Sequence, residues 1–315
     1  MDAEQIVLDR LSALGMDVRR ARVHSLRSSR NRPISCYALV CVDGDTGART
    51  RKILLGKGYR REDGARIFAF MQALWQSGFG ADPWLTIPEP VAYVPEISLL
   101  LQGRAPGKAL FHEIDRATPS LDHVREAARW LAKMHATPVA APLVPLAQDA
   151  REALRHAHAL RTGFPRFAPR IDRIAERVVS SLHSLGASPR TLCHGDFQPK
   201  NIHVSRGRVT VIDFDHARLS HPARDVGHFI GQCMTMSYAR TGSFEAITPF
   251  RTTFVDTYAS LGHAEGLSSL STFVPRAFLE ILHYRLLVRP VPDPSFVPAW
   301  LDECERMQDQ SGDAP

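Results

Sequence analysis

The sequence predicts an α+β fold in two lobes, an antiparallel sheet with one inserted helix followed by a larger, mostly helical body. Three observations carry this. Three β-prone runs, "VRRARVHSL", "SCYALVCVD" and "TRKILLGKGY", follow one another early in the chain, and "GDTG" (Gly44–Gly47) between the last two is a hairpin turn signal. The composition shifts after Ala105-Pro106-Gly107. Beyond that point, residues 121–136, 148–161 and 171–185 show helical periodicity. The predicted lobes are 1–103 and 104–315.

The elements follow in order. Residues 3–15 read as an amphipathic helix carrying acids, without the basic-then-apolar pattern of a signal segment. After the three strands, "DGARIFAFMQALWQSGF" reads as a helix, with Ile67, Phe70, Met71, Leu74 and Trp75 at helical spacing. Val91–Val94 and Ile97–Gln102 read as two short strands. The Pro/Ala-rich Thr137–Gln148 reads as a connector between helices. Short strands and loops are expected over 191–215, and helices over about 222–311. The aromatics of that tail, among them Phe250, Phe254, Tyr258, Phe273, Phe278 and Trp300, sit at a spacing that reads as core.

Composition excludes several classes. The chain has 315 residues with 44% hydrophobic and 23% charged, ordinary for a globular protein. No apolar run approaches the ~20 residues a bilayer span requires. The cysteines Cys36, Cys41, Cys193, Cys233 and Cys304 are odd in number and scattered, which reads as reduced thiols in a cytoplasmic protein. The net charge of +6 is concentrated early, at Arg19, Arg20, Arg22, Arg27, Arg30 and Arg32 among others. Without aromatic interleaving, zinc-ligand spacing or a recognition helix, this reads as a solvated arginine-rich surface rather than a nucleic-acid footprint.

The chemistry is concentrated in "TLCHGDFQPKNIHV" (Thr191–Val204) and "VIDFDHA" (Val211–Ala217). Asn201 follows Asp196 by five residues, and Asp213 follows it by seventeen, beyond two short apolar runs. Phosphoryl transfer needs positioning, a metal for the phosphate charge, and a carboxylate to orient and deprotonate the attacking hydroxyl. An Asp, an Asn and a second Asp in this order, in loops beside strands, supply those parts. Hard oxygen donors of this kind suit Mg2+.

The motifs "HGDFQPKN" (His194–Asn201), "IDFD" (Ile212–Asp215) and "HPARDVG" (His221–Gly227) resemble those of the aminoglycoside phosphotransferase and choline kinase-like families, relatives of protein kinases. A weaker outline of the resemblance covers about residues 18–290. His-Gly-Asp, in place of the His-Arg-Asp of most protein kinases, favours a small-molecule kinase. The resemblance implies a protein kinase-like two-lobe fold using ATP, with GTP as an alternative, and Mg2+. It implies Asp196 as the catalytic base, Asn201 and Asp213 as metal ligands, His194 as a structural residue, and Asp225 as a brace for the catalytic loop. Asp215 either joins the metal site or ends the strand, and Lys200 reads as a solvent-facing loop lysine.

The resemblance also calls for a lysine on the third strand to meet the nucleotide phosphates. Lys57 fits the strand alternation and precedes Tyr-Arg; Lys52 is the alternative, in opposite phase. The usual glutamate partner on the next helix is missing. Only Glu62 and Asp63 lie ahead of "ARIFAFMQALWQ", leaving Gln72 or Glu89 as substitutes. No glycine-rich loop is present either; "SLRSSRNRP", with Ser28 and Ser29, takes its place, and Gly56-Lys57-Gly58 lacks P-loop spacing. "LLLQGRAPG" resembles the hinge between lobes, where Leu101 and Gly103 would offer backbone groups to the adenine. The expected partner is a small-molecule hydroxyl acceptor (a sugar, an aminoglycoside-like compound or an amino alcohol), with no nucleic acid and no membrane, in a monomer or homodimer. A dedicated antibiotic-resistance kinase and a nucleotide-binding regulator with little transfer activity are the alternatives.

Overall fold

A computed structural model describes residues 2–27, 33–114, 120–186 and 190–309, without the side chains of Arg61 and Glu62. The chain is an α+β protein whose contacts divide into two units. The first gathers the chain up to Gly107 together with Thr210–Phe214; the second holds Lys108–Val209 and the chain from Asp215. The division expected after Gly103 thus falls four residues later, and five residues of later chain join the first unit.

In the first unit, α1 (Ala3–Ala13) precedes β1 (Asp17–Arg27), β2 (Ile34–Val42) and β3 (Arg49–Gly58). After α2 (Arg61–Leu74) come β4 (Leu85–Thr86), β5 (Pro90–Val94) and β6 (Leu99–Gly103). Five strands form an antiparallel sheet in the order β1-β2-β3-β6-β5. The β2–β3 turn is closed by Asp43, whose Oδ1 accepts from the backbone N–H of Asp45 and Thr46 and from the Thr46 hydroxyl. The edge strand β1 exposes Arg19, Arg20, Arg22 and Arg27. Charges in such a row keep an open edge from pairing with another chain, which gives the early basic run a structural use. Val7 and Leu11 of α1 pack with Tyr37, Leu39, Leu54, Val94 and Leu101 of the sheet.

Helix α2 ends earlier than its apolar spacing suggests. Gly78 adopts φ +103°, a left-handed conformation that interrupts the helix after a wide turn over Trp75–Phe79. The strand expected from Ile97 begins at Leu99, because Pro95–Ile97 form a tight turn and Ser98 sits at φ +50°.

The second unit is mostly helical. β7 (Lys108–Ala109) is followed by α3 (Leu121–Ala136), α4 (Leu146–Gly163) and α5 (Ala168–Ser184). α5 starts three residues before the expected position, with Pro169 in its first turn, where the missing N–H costs nothing. Next come β8 (Thr191–Cys193), β9 (Ile202–Ser205), β10 (Arg208–Val211), whose last two residues belong to the first unit, and β11 (Arg218–Ser220). The chain ends in α6 (Ala223–Thr241), α7 (Thr248–Tyr258), α8 (Leu270–His283) and α9 (Val297–Asp309). α8 is buried along most of its length and packs against α4, α5, α6 and α9. The tail aromatics Phe250, Phe254, Tyr258, Phe273, Phe278 and Trp300 are all core residues. Among the described residues, no helix is long and apolar enough to cross a membrane.

Candidate active site

In the second unit, β8 and β11 pair antiparallel, with Cys193 opposite Arg218, and the loop His194–Asn201 leaves the end of β8. An apolar plug anchors that loop. Phe197 is fully buried, stacked on Trp130 of α3 at 5.9 Å between ring centroids and beside Phe229 of α6 at 5.5 Å. Burying such a ring stabilises by about 1.5–3 kcal/mol. Gly195 lies at φ +83°, and a Cβ there would stand 2.0 Å from the His216 carbonyl oxygen, so only glycine fits.

Asp225, buried in the first turn of α6, braces the loop. Its Oδ2 accepts from the His194 N–H at 2.6 Å and its Oδ1 from the Gly195 N–H at 2.9 Å. On its other side, His135 Nε2 lies 3.3 Å from Oδ2, and His135 Nδ1 meets the Tyr258 hydroxyl at 2.6 Å. Burial alone would raise the Asp225 carboxyl; the His135 hydrogen bond, the charges of His135 and His194 and the Gly195 N–H outweigh it and hold it at about 2. His135, Cys193 and Asp225 lie close enough to suggest a metal cluster. Asp225 is engaged by His135 and by two loop N–H groups, which makes the cluster a hydrogen-bonded brace for the loop.

The Asp196 carboxylate is held from three directions. Gln198 Nε2 donates to Oδ1 at 2.8 Å and Oδ2 at 3.0 Å; Asn201 Nδ2 donates to Oδ2 at 3.0 Å and to the Asp196 carbonyl at 2.9 Å; His228 Nε2 lies 3.1 Å from Oδ1. Burial would lift this carboxyl, but the His228 hydrogen bond and the charges of His228 and His194 keep it below its ordinary value. Asp196 is therefore ionised at neutral pH. Asn201 spends its amide N–H on Asp196, so its amide oxygen faces away from that carboxylate and suits a hard cation. His194 is fully buried, and its Nδ1 accepts from the Asp196 N–H at 3.3 Å. Lys200 is exposed over the Phe111 ring, 5.4 Å from its centroid.

In the first unit, Lys57 Nζ donates to Asp213 Oδ1 at 2.7 Å. The lysine thus has a carboxylate partner that no helix pattern reveals. Gln72 is exposed, and Glu89 pairs with Lys52 at 3.2 Å. Asp213 sits at φ +73°, rare for a residue with a Cβ and a conformation kept where surroundings enforce it. Next to it, Phe214 is buried with its ring 6.0 Å from Phe70 of α2. Asp215 is half-buried in the turn Phe214–His216.

Leu101 is fully buried in β6, opposite Gly56 of β3 and Ala92 of β5, and the Gly103 N–H donates to the Glu89 carbonyl at 2.8 Å. Ser28 and Ser29 lie outside the described residues. The structure thus brings Lys57 to Asp213 and Asp196 to Asn201, each pair within one unit. The sequence reading missed His228 and the ionic network behind it. A signal was present: His228 falls one helical turn after the adjacent pair Arg224 and Asp225.

The family described as the phosphotransferase enzyme family, APH, matches residues 55–267. No curated protein matches. Among solved structures, the ADP-bound aminoglycoside phosphotransferase APH(2'')-Ib is similar at TM-score 0.53 and 14% identity, over 99% of each chain. Amicoumacin kinase hAmiN, in complex with AMP-PNP, Ca2+ and Ami, is similar at TM-score 0.59 and 14% identity, over 98% of this chain and 94% of that one. Plasmodium vivax ethanolamine kinase gives TM-score 0.52 and 14% identity, over 93% of this chain and 81% of that one. At these identities the likeness is one of fold.

Proposed function

The chain belongs to the phosphotransferase enzyme family, and from that premise we propose that it moves the γ-phosphate of ATP to a hydroxyl of a small molecule. The observation that carries this is the ionised Asp196 carboxylate, fixed by Gln198, Asn201 and His228 in a loop braced by Asp225. That fixity supports a positioning role, which is most of what phosphoryl transfer asks of a protein. In this reading the acceptor oxygen bonds to the γ-phosphorus, the bond to the β-phosphate bridging oxygen breaks, and the hydroxyl proton passes to Asp196. A carboxylate held below its ordinary pKa suits a loose transition state, in which the proton leaves late.

Asn201 and Asp213 are the proposed ligands of Mg2+, an amide oxygen and a carboxylate of the hard kind this ion takes. When bound, the ion neutralises phosphate charge. Lys57 is the proposed phosphate contact, and its present partner Asp213 is a group it would exchange for phosphate oxygens. Relatives bind ADP and AMP-PNP, which supports a nucleotide cosubstrate here. Relatives acting on an aminoglycoside, amicoumacin or ethanolamine support a hydroxyl compound carrying amines as the first acceptor class to test.

The test is transfer of labelled γ-phosphate from ATP, and separately GTP, to a pool of aminoglycosides, macrolides, sugars, choline and amino alcohols. Product is expected with wild type, lost in Asp196→Asn and lost on chelation with EDTA. Labelled product that survives Asp196→Asn at full rate would remove Asp196 from its role. Failure to bind either nucleotide would overturn the kinase reading.

A further inference from the structure

Behind the catalytic loop, the second unit holds a buried network of opposite charges drawn from three helices. Asp149 of α4 accepts from Arg224 Nε of α6 at 2.8 Å and lies 3.0 Å from Arg276 Nε of α8. Arg276 also reaches Glu152 at 2.9 Å and Glu280 at 3.0 Å. Asp149, Arg224 and Arg276 are each at most 4% exposed. Arg224 extends the network to the loop by donating from Nη1 to the Gly195 carbonyl at 2.9 Å.

His228 connects to the same network at its other end. It lies on α6 one turn after Arg224 and is 3% exposed. Its Nε2 is 3.1 Å from Asp196 Oδ1, and its Nδ1 makes no hydrogen bond among the described residues but faces Glu280 Oε2 at 4.0 Å. An aliphatic side chain would fill that volume without burying a nitrogen that lacks a hydrogen bond. An imidazole there is justified by what Nε2 does for Asp196.

We propose that His228 is a positioning residue for Asp196, wedged between the Asp196 and Glu280 carboxylates so that it fixes the orientation in which Asp196 meets the acceptor hydroxyl. This rests on the reading of Asp196 as the base. Asp196 is bonded from within its own loop by Gln198 and Asn201, while His228 ties it to a helix. Glu280 is in turn fixed by Arg276. The position of Asp196 is thus referred through His228 to α6 and α8. The charged groups facing His228 are Asp196 from the loop, Glu280 from α8 and Arg224 from its own helix. Burial disfavours the imidazolium, and the Asp196 hydrogen bond with the Glu280 charge outweighs that, so His228 holds its second proton to a higher pH than an ordinary histidine.

The experiment compares wild type, His228→Leu, His228→Gln and Asp196→Asn in the full chain. Glutamine places a donor near the Nε2 position; leucine keeps the volume and removes the donor. The probe is γ-labelled ATP, with release to water and transfer to the acceptor pool both followed. For His228→Leu, kcat is expected to fall roughly 10- to 100-fold with KM for ATP unchanged, and His228→Gln is expected to recover most of it. Equal losses in both variants, in proportion to lowered melting temperature, would mean a merely structural residue and overturn the proposal, as would unchanged kcat in His228→Leu. If Asp196→Asn retains turnover, the base reading fails; if only the His228 variants do, the positioning role alone fails. Nitrogen-15 spectra of labelled histidine decide the matter without turnover. The His228 ring is expected to lose its second N–H at lower pH in Asp196→Asn than in wild type. An indifferent His228 signal would overturn the contact.

Discussion

Asp196 gathers hydrogen bonds from Gln198, Asn201 and His228, and this makes its replacement informative. Asp196→Asn keeps the shape and removes the charge. Labelled phosphate transfer is expected to fall about 10²–10⁴-fold, while the thermal shift caused by MgATP is retained. Lys57→Ala should act differently. It removes the cation held against Asp213 at 2.7 Å, so KM for ATP is expected to rise, measurable by steady-state kinetics and by titration with a fluorescent ATP analogue. Gly195→Ala should abolish activity by distorting the loop, because the new Cβ would meet the His216 carbonyl oxygen at 2.0 Å. A restored rate in that variant would contradict the geometry described.

Helices α6 and α8 approach closely at Gly227. A Cβ there would lie 2.7 Å from Phe273 Cβ and 2.8 Å from the Phe273 carbonyl carbon. Alanine favours a helix over glycine by roughly 1 kcal/mol, but the overpacking costs about 1–3 kcal/mol. Gly227→Ala is therefore expected to lower the denaturation midpoint in urea and to displace the α6 face that carries His228. Asp225 makes α6 acid-sensitive as well. Its carboxyl is held at about 2 in the folded chain, against about 3.9 unfolded. Its contribution, on the order of 2 kcal/mol, is fully present above about pH 4 and lost as pH falls toward 2. Melting curves of wild type and Asp225→Asn over that window should converge as the pH drops.

Legibility differed between elements for physical reasons. β1, β2 and β3 alternate in two-residue phase around a clear turn, and α3 repeats apolar residues at helical spacing, so both were readable one residue at a time. The pairing of Lys57 with Asp213 spans 156 positions and leaves no periodic trace, so the missing glutamate looked like a gap. Asp149, Arg224 and Arg276 are charged residues on helices, which a sequence reading assigns to solvent. Their burial becomes evident only when α4, α6 and α8 are packed together. The placement of His194, Asp196 and Asn201 in one loop and of Asp213 in another is legible because short motifs of fixed spacing carry them.

At the scale of the whole molecule, nucleotide binding should be readable as stability. A ligand at a hundredfold excess over its Kd stabilises by about 2.7 kcal/mol, so MgATP is expected to raise the melting temperature by several degrees. GTP should separate from ATP in the same assay. The positive charge of the whole chain, +6, is compatible with phosphate-bearing ligands but selects none.

The first unit borrows Thr210–Phe214 from far along the chain. On a ribosome adding about 5–20 residues per second, roughly a hundred residues separate Gly107 from that segment, a delay of about 5–20 s. Through that interval the amino-terminal sheet has emerged with Lys57 lacking Asp213 and Phe70 lacking Phe214. A fragment cut after Gly107 would be arrested permanently in that state. Nascent chains stalled before Thr210 and after Phe214 should accordingly differ in protease resistance at α2, with the resistance arriving late in synthesis.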